Sequence, residues 1–142
     1  MTVYADTSFL VSLYARDSNS IKAASQMARL PLPIVITPLS ELELTNALQL
    51  RLYRRQVDSR ELNLAHGAYR SDLRERILLL KPMPNALYRE AVQLSRRWTA
   101  KFGVRTLDLV DIASALGLGA DTFASFDLRQ RKVADTVGLT LV

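Results

Sequence analysis

The chain contains no cysteine and only one histidine, His66. The lack of cysteine excludes disulfides, thiolate zinc sites and cysteine nucleophiles. A single histidine excludes histidine-rich metal sites and most Ser–His–Asp schemes, and the polar neighbours of His66 are typical of a solvated helix surface. Any metal ion must therefore be held by oxygen ligands, which favours Mg²⁺ or Mn²⁺ over zinc.

Glycine and proline are also few, at five each in 142 residues, and 49% of the residues are hydrophobic. This composition is typical of a folded chain and argues against disorder. The length predicts one domain over residues 1–142. No run of ~18 apolar residues is present, which excludes a membrane span, and the opening residues do not resemble a signal peptide. We expect a cytoplasmic protein.

Lysine is scarce, since 15 of the 19 basic residues are arginine, and the net charge is +5. The planar guanidinium binds phosphate through two hydrogen bonds, so this bias favours a nucleic-acid partner. A GC-rich genome would raise arginine over lysine in the same way. The basic residues cluster in three stretches: Arg51, Arg54, Arg55 and Arg60; Arg89, Arg96, Arg97 and Lys101; Arg129, Arg131 and Lys132.

Short apolar or β-branched runs alternate with helical patterns along the whole chain. Strands are predicted at residues 3–5, 34–37, 77–80, 122–125 and 139–142, and helices at 7–15, 20–30, 40–55, 59–76, 85–102, 106–117 and 128–137. Strands separated by helices imply right-handed crossovers and helices on both faces of the sheet. The sequence therefore predicts an α/β fold, a three-layer α/β/α sandwich with a mainly parallel five-stranded sheet.

Four acidic residues lie just after a predicted strand or in the first turn of a helix: Asp6, Glu43, Asp108 and Asp127. The carboxyl ends of parallel strands lie along one edge of the sheet, where binding sites form. Four carboxylates gathered there would repel one another unless a divalent cation held them. The pattern therefore indicates a metal-dependent phosphodiesterase, and an acidic centre within a basic surface suits a nuclease.

Each acid also has a purely structural explanation. Asp6 and Asp127 can cap the helices that follow them, and Asp108 can interact with the dipole of its helix. Ser40 and Glu43 match the S-x-x-E capping box. These explanations account for acids at helix starts but not for the placement of all of them at one sheet edge.

The helix that carries Asp108 is apolar on nearly all sides, which predicts that it is buried. Asp108 and Asp111 share a face of it, and a buried carboxylate pair needs a cation or a shared proton. Asp111 can be a further ligand, a hydrogen-bond acceptor behind the ligands, or the partner of a basic residue such as Arg105; we favour the second role. Glu41 and Glu43 lie about 200° apart on their helix, so only one can face the site.

Taken in order, these motifs resemble those of a PIN-domain ribonuclease, specifically a VapC-type toxin of a toxin–antitoxin pair. The matching stretches are Tyr4-Ala5-Asp6-Thr7-Ser8, residues 43–48, residues 107–116, residues 123–127 and the tail from Arg129-Gln130 through Ala134 to Gly138-Leu139. The resemblance covers the whole chain and implies a single PIN domain over residues 1–142.

The resemblance implies that Asp6, Glu43, Asp108 and Asp127 are the catalytic, metal-binding quartet. It favours Glu43 over Glu41, because the acid of the family precedes an L-x-x-A-L run. The residues expected to support the ligands from behind are Ser8, Asp111 and Ser125.

By the same resemblance, water activated at one or two Mg²⁺ or Mn²⁺ ions would attack RNA in line and leave a 5′-phosphate and a 3′-hydroxyl. A homodimer and a cognate antitoxin that blocks the groove are also implied. Two other enzyme or signalling classes lack their motifs in this chain. A haloacid-dehalogenase phosphatase needs D-x-D, but Ser8 stands where the second aspartate would be. A receiver domain needs an acidic pair near its first strand, where this chain has Asp6 alone. The remaining alternative is a PIN fold that binds RNA or a partner without cutting.

Overall fold

The alternating pattern folds into five strands and seven helices, and the computed structural model describes all 142 residues. The strands are β1 (Val3–Ala5), β2 (Ile34–Ile36), β3 (Leu78–Leu80), β4 (Thr122–Ala124) and β5 (Thr140–Leu141). The helices are α1 (Thr7–Tyr14), α2 (Ser20–Met27), α3 (Pro38–Tyr53), α4 (Ser59–Arg74), α5 (Leu87–Phe102), α6 (Thr106–Gly117) and α7 (Leu128–Thr136). None of the seven helices combines the length and the apolar character needed to cross a membrane.

The strands form one sheet in the order β3-β2-β1-β4-β5, and every neighbouring pair is parallel. The predicted parallel five-stranded sheet is therefore confirmed. β1 is central, because Val3 pairs with Ile34 on one side and with Thr122 on the other. The chain builds outward to β2 and β3 and then returns to β4 and β5, so its direction reverses between β1 and β4. In parallel sheets such a reversal leaves a crevice at the carboxyl ends of the two strands.

Side chains alternate between the two faces of the sheet, and each face has its own hydrophobic core. On one face Tyr4, Val35 and Phe123 pack with apolar residues of α5, α6 and α7. On the other face Ala5 and Ile34 pack with residues of α1, α3 and α4. The predicted three-layer α/β/α sandwich is confirmed, and the crevice between β1 and β4 opens between its helical layers.

Helix α3 starts earlier than predicted. It begins at Pro38, with Thr37 as its N-cap, and Thr37 and Ser40 form the capping box. Proline suits the first turn of a helix, because a backbone N–H at that position would have no partner within the helix. The prediction of a Ser40–Glu43 capping box is wrong, and Glu43 lies in the second turn of the helix.

Several helix starts or caps differ by one or two residues from the predicted positions, and α2 ends three residues before the predicted end. Helix α4 is capped by Asp58 rather than Ser59, α5 begins at Leu87 rather than at residue 85, and the N-cap of α6 is Arg105 rather than Thr106. Gly103 ends α5 with a left-handed φ of 64°, as predicted from the freedom of glycine.

Candidate active site

Asp6 directly follows β1 and is the N-cap of α1. Its Oδ1 accepts hydrogen bonds from the Phe9 N–H at 2.9 Å and from the Ser8 hydroxyl at 2.7 Å, and its Oδ2 accepts from the Ser125 hydroxyl at 2.5 Å. The residue is 1% exposed. Burial raises the pKa of Asp6 to about 6, although these hydrogen bonds lower it. Asp6 is thus a buried carboxyl surrounded by donors, and more than a surface cap.

Ser125 connects Asp6 to Asp127 across the crevice between β1 and β4. Its Oγ donates to Asp6 and accepts from the Asp127 N–H at 3.0 Å. Ser8 reinforces the same connection, since its Oγ donates to Asp6 and accepts from the Phe126 N–H at 2.9 Å. The two serines therefore hold the Asp6 carboxyl against the loop that follows β4.

Asp127 is the N-cap of α7 and uses only one carboxyl oxygen for that role. Its Oδ1 accepts from the N–H groups of Arg129 and Gln130, each at 2.9 Å. Its Oδ2 lies 3.4 Å from Nη2 of Arg105. Oδ2 of Asp127 therefore faces the guanidinium of Arg105 rather than the N–H groups of the helix.

Asp108 lies in the first turn of α6, three residues after Arg105. Its Oδ2 accepts from the Arg105 backbone N–H at 3.3 Å and from Arg105 Nε at 3.2 Å. The Arg105 guanidinium therefore bridges Asp108 and Asp127, which belong to different helices. The hydrogen bond to Asp108, with the charges of Asp108, Asp127 and Glu43, raises the pKa of Arg105.

Glu43 differs from Glu41 in having a buried oxygen without a hydrogen-bond partner. Its Oε1 is buried and makes no hydrogen bond within the protein. Burial raises the pKa of Glu43, the nearby Thr7 hydroxyl lowers it, and the charge of Asp108 raises it. Glu41, by contrast, accepts a 2.8 Å hydrogen bond from the Tyr69 hydroxyl. A buried acceptor without a donor is costly, and a cation would satisfy it, so Glu43 fits a metal ligand better than Glu41.

Asp111 is buried behind these residues and bonds to the central strand. Its Oδ1 accepts a 2.7 Å hydrogen bond from the Tyr4 hydroxyl, and the Tyr4 oxygen also lies 3.3 Å from Thr37 Oγ1 and 3.4 Å from Ser40 Oγ. Asp111 makes no ion pair, because Arg105 is directed to other acids. Of the three roles considered for Asp111, its contacts correspond to a hydrogen-bond acceptor behind the site.

The acids influence one another electrostatically at this edge of the sheet. Asp127 contributes to the raised pKa of Asp6, and Asp108 contributes to that of Glu43. Burial, followed by the charges of Asp6 and Glu43, raises the pKa of Asp111. In the arrangement seen, however, no three acidic or histidine side chains are close enough together to hold a metal ion. The predicted quartet is gathered in one region, with Arg105 and two serines bound to its oxygens.

A family model for the PIN domain matches residues 3–136 of the chain. The chain belongs to the PIN domain family. Nucleases of this family generally use divalent metal ions. No curated protein sequence is similar enough to this PIN domain to count as a match.

Several solved structures share the fold at low sequence identity. Mycobacterium tuberculosis VapC20, described as a sarcin-ricin loop cleaving toxin, superposes with a TM-score of 0.71 and 17% identity over 92% of this chain and 94% of its own. FitAcB from Neisseria gonorrhoeae has a TM-score of 0.66 and 18% identity over 99% of this chain and 96% of its own. The VapBC2 complex from Rickettsia felis, bound to a DNA fragment from its own promoter, has a TM-score of 0.68 and 16% identity over 100% of this chain and 98% of the matched chain.

Two residues that bond to the acids of this PIN domain were not identified in their actual roles from the sequence. Arg105 was considered only as a partner for Asp111, yet it binds Asp108 and Asp127. Gln130 is 1% exposed, and its Nε2 donates to the Asp108 carbonyl oxygen at 3.2 Å, which joins α7 to α6. The position of Arg105 three residues before Asp108 is a sequence signal for their pairing.

Proposed function

We propose that this chain, a single PIN domain over residues 1–142, is a Mg²⁺- or Mn²⁺-dependent endoribonuclease and the toxin of a type II toxin–antitoxin pair. The observation that carries the proposal is the placement of Asp6, Glu43, Asp108 and Asp127 at one edge of the sheet, where the charge of Asp127 raises the pKa of Asp6 and that of Asp108 raises the pKa of Glu43. The buried Oε1 of Glu43 adds support, because it makes no well-formed hydrogen bond and a cation would satisfy it.

In this proposal the four acids hold the metal and the neighbouring residues orient them. A bound Mg²⁺ or Mn²⁺ ion lowers the pKa of water and polarises a phosphodiester. The hydroxyls of Ser8 and Ser125 fix the rotation of the Asp6 carboxyl, and residues of this kind tune metal affinity. The backbone N–H groups at the start of α7 fix Asp127 in the same way. No protein nucleophile is required, which agrees with the lack of cysteine.

RNA is the proposed substrate. The net charge of +5 and the arginine clusters favour a phosphate backbone as partner. Single-stranded or loop RNA is favoured, because its bases can be splayed away from a duplex. The structural similarity to a toxin described as cleaving the sarcin-ricin loop supports RNA cleavage as the class of reaction.

The proposed protein partners are a cognate antitoxin and a second copy of the chain. Structural similarity to VapBC2 and FitAcB supports an antitoxin partner. That the antitoxin covers the cleavage groove, and that the chain forms a homodimer, follow only from the resemblance to VapC-type toxins. Co-expression with candidate antitoxins and light scattering of the isolated chain test the two partners separately.

The second candidate function is a PIN module that binds RNA or a partner without cutting it. The observation that favours it is that no three of the acids are close enough together, in the arrangement seen, to hold a metal ion. The two functions differ in whether folded, metal-loaded protein cleaves RNA, and a failure to bind Mn²⁺ would also favour the binding module.

The test is cleavage of a labelled RNA pool by purified protein in Mg²⁺ or Mn²⁺. We expect cleavage that EDTA and Asp6→Asn both abolish. The matched control is Asp135→Asn, which removes an exposed acid of α7 and should leave cleavage intact. Folded protein that is free of co-purifying inhibitor, binds Mn²⁺ and leaves RNA uncut would support the binding module instead.

A further inference from the structure

Arg105 makes both of the ion pairs between side chains in this protein. The chain has 19 basic and 14 acidic residues, yet the pairs within 4 Å are Arg105 Nε with Asp108 Oδ2 at 3.2 Å and Arg105 Nη2 with Asp127 Oδ2 at 3.4 Å. Both acids belong to the proposed metal-binding quartet. The guanidinium therefore occupies a place where two proposed ligands come together.

The two pairs are of a kind that a stronger cation can replace. The Arg105 side chain is 68% exposed, whereas those of Asp108 and Asp127 are 13% and 24% exposed. Because the guanidinium is exposed, water and salt screen both pairs, and they contribute little to stability. A divalent cation needs the same carboxylate oxygens, and two positive groups repel, so the ion and the guanidinium compete for Asp108 and Asp127.

Once displaced, the guanidinium would lie beside the site with no acid to bind. Arg105 is the N-cap of α6, so its backbone is held next to Asp108 while its long side chain reaches solvent. A planar guanidinium matches the geometry of a phosphate and binds it through two parallel hydrogen bonds. A phosphodiester that approaches the metal would meet this group.

We propose that Arg105 is an RNA phosphate-binding residue which the metal-free protein keeps occupied on Asp108 and Asp127, and which metal binding releases to the substrate. This inference rests on the proposed function, since it requires the quartet to bind a metal. It makes metal and RNA binding mutually favourable, because each ligand favours the released position of Arg105.

Removing the guanidinium should change the two affinities in opposite directions. Without RNA, Arg105→Gln should bind Mn²⁺ about three- to tenfold more tightly than the wild type, the range expected for two exposed ion pairs. With Ca²⁺ in place of Mg²⁺ and cleavage checked on a gel, the variant should bind a short single-stranded RNA more weakly. The slope of its RNA affinity against salt should fall by about 0.7, the value for one phosphate contact on a single strand.

Two further variants separate this role from net charge. Arg105→Lys keeps the charge but replaces the guanidinium, whose Nε and Nη2 reach the two acids, with a single ammonium nitrogen, so its Mn²⁺ affinity should lie between those of the wild type and Arg105→Gln. Arg29→Gln removes an exposed arginine that makes no ion pair, and it should change neither affinity by more than about twofold.

The outcomes that overturn the inference are distinct from those that overturn the proposed function. Equal or weaker Mn²⁺ binding by Arg105→Gln, with normal Mn²⁺ binding by the wild type, would exclude competition by Arg105. Tighter Mn²⁺ binding with unchanged RNA affinity and salt slope would exclude the phosphate contact. If neither protein binds Mn²⁺, the metal-dependent function itself fails, and the inference fails with it.

Discussion

The hydroxyl of Tyr4 donates a 2.7 Å hydrogen bond to Oδ1 of Asp111 and so ties the central strand to α6 beneath the candidate site. Tyr4 has no exposed surface and Asp111 is 3% exposed. Burial raises the pKa of both groups. Asp108 lies one helical turn from Asp111, so this bond anchors the helix that carries Asp108 to the strand that precedes Asp6.

Replacing Tyr4 with phenylalanine should destabilise the protein by about 1–3 kcal/mol, because a buried carboxyl loses a donor that water cannot replace. Urea unfolding in EDTA measures the change. Tyr53→Phe is the matched control, since Tyr53 is 84% exposed, and it should stay within about 0.5 kcal/mol of the wild type. A Tyr4→Phe variant as stable as the control would mean that Asp111 does not depend on this bond.

The stability of the metal-free protein should fall as the pH rises from about 4 to about 6. The pKa of Asp6 is about 6 in the folded chain, against an ordinary value of 3.8, so the folded state binds the proton more tightly. The stabilisation is complete below the lower value and is lost as the pH passes the higher one. A shift of this size corresponds to at most about 3 kcal/mol.

Unfolding free energies in EDTA across this pH range test the prediction, with Asp6→Asn as the comparison. Asparagine is an equally good N-cap, so the variant should fold normally. Its pH dependence should be flatter, and at pH 7 it should be at least as stable as the wild type. Parallel curves for the two proteins would show that Asp6 titrates normally.

The layered parallel sheet could be predicted from the sequence because apolar runs separated by helices admit few topologies. The helix starts were less certain. Thr37 and Ser40 are both good N-cap residues, and the hydrophobic pattern does not reveal at which of them helix α3 begins. Pro38 decides the matter, because it suits a first turn and places the cap at Thr37.

The acids of the candidate site could be placed at one sheet edge, but their partners could not. Arg105 is close in sequence to both Asp108 and Asp111, so spacing alone left its partner open. Asp127 lies 22 residues from Arg105 and approaches it only in the folded chain. Burial then decides the outcome, because Asp111 is enclosed beside Tyr4, where an exposed arginine does not reach.

Glu43→Gln and Glu41→Gln should separate a metal ligand from a structural acid on the same helix. Glu43→Gln should lower Mn²⁺ affinity at least about tenfold, yet leave the stability in EDTA unchanged or higher, because burial already disfavours the charged form. Glu41→Gln should bind Mn²⁺ normally and lose about 1 kcal/mol, because it weakens the bond from Tyr69. Calorimetric Mn²⁺ titration and urea unfolding measure both effects, and the reverse pattern would assign the site to Glu41.

Asp127 should have a capping role and a charge role that can be separated by mutation. Asp127→Asn keeps a capping oxygen for the Arg129 and Gln130 N–H groups, so its stability in EDTA should match the wild type while its Mn²⁺ affinity falls. Asp127→Ala should lose Mn²⁺ affinity and also about 1 kcal/mol. Asp58→Ala, which removes the cap of α4, should lose similar stability and bind Mn²⁺ normally. If Asp127→Asn bound Mn²⁺ as tightly as the wild type, Asp127 would be a helix cap alone, and the proposed quartet would reduce to three acids.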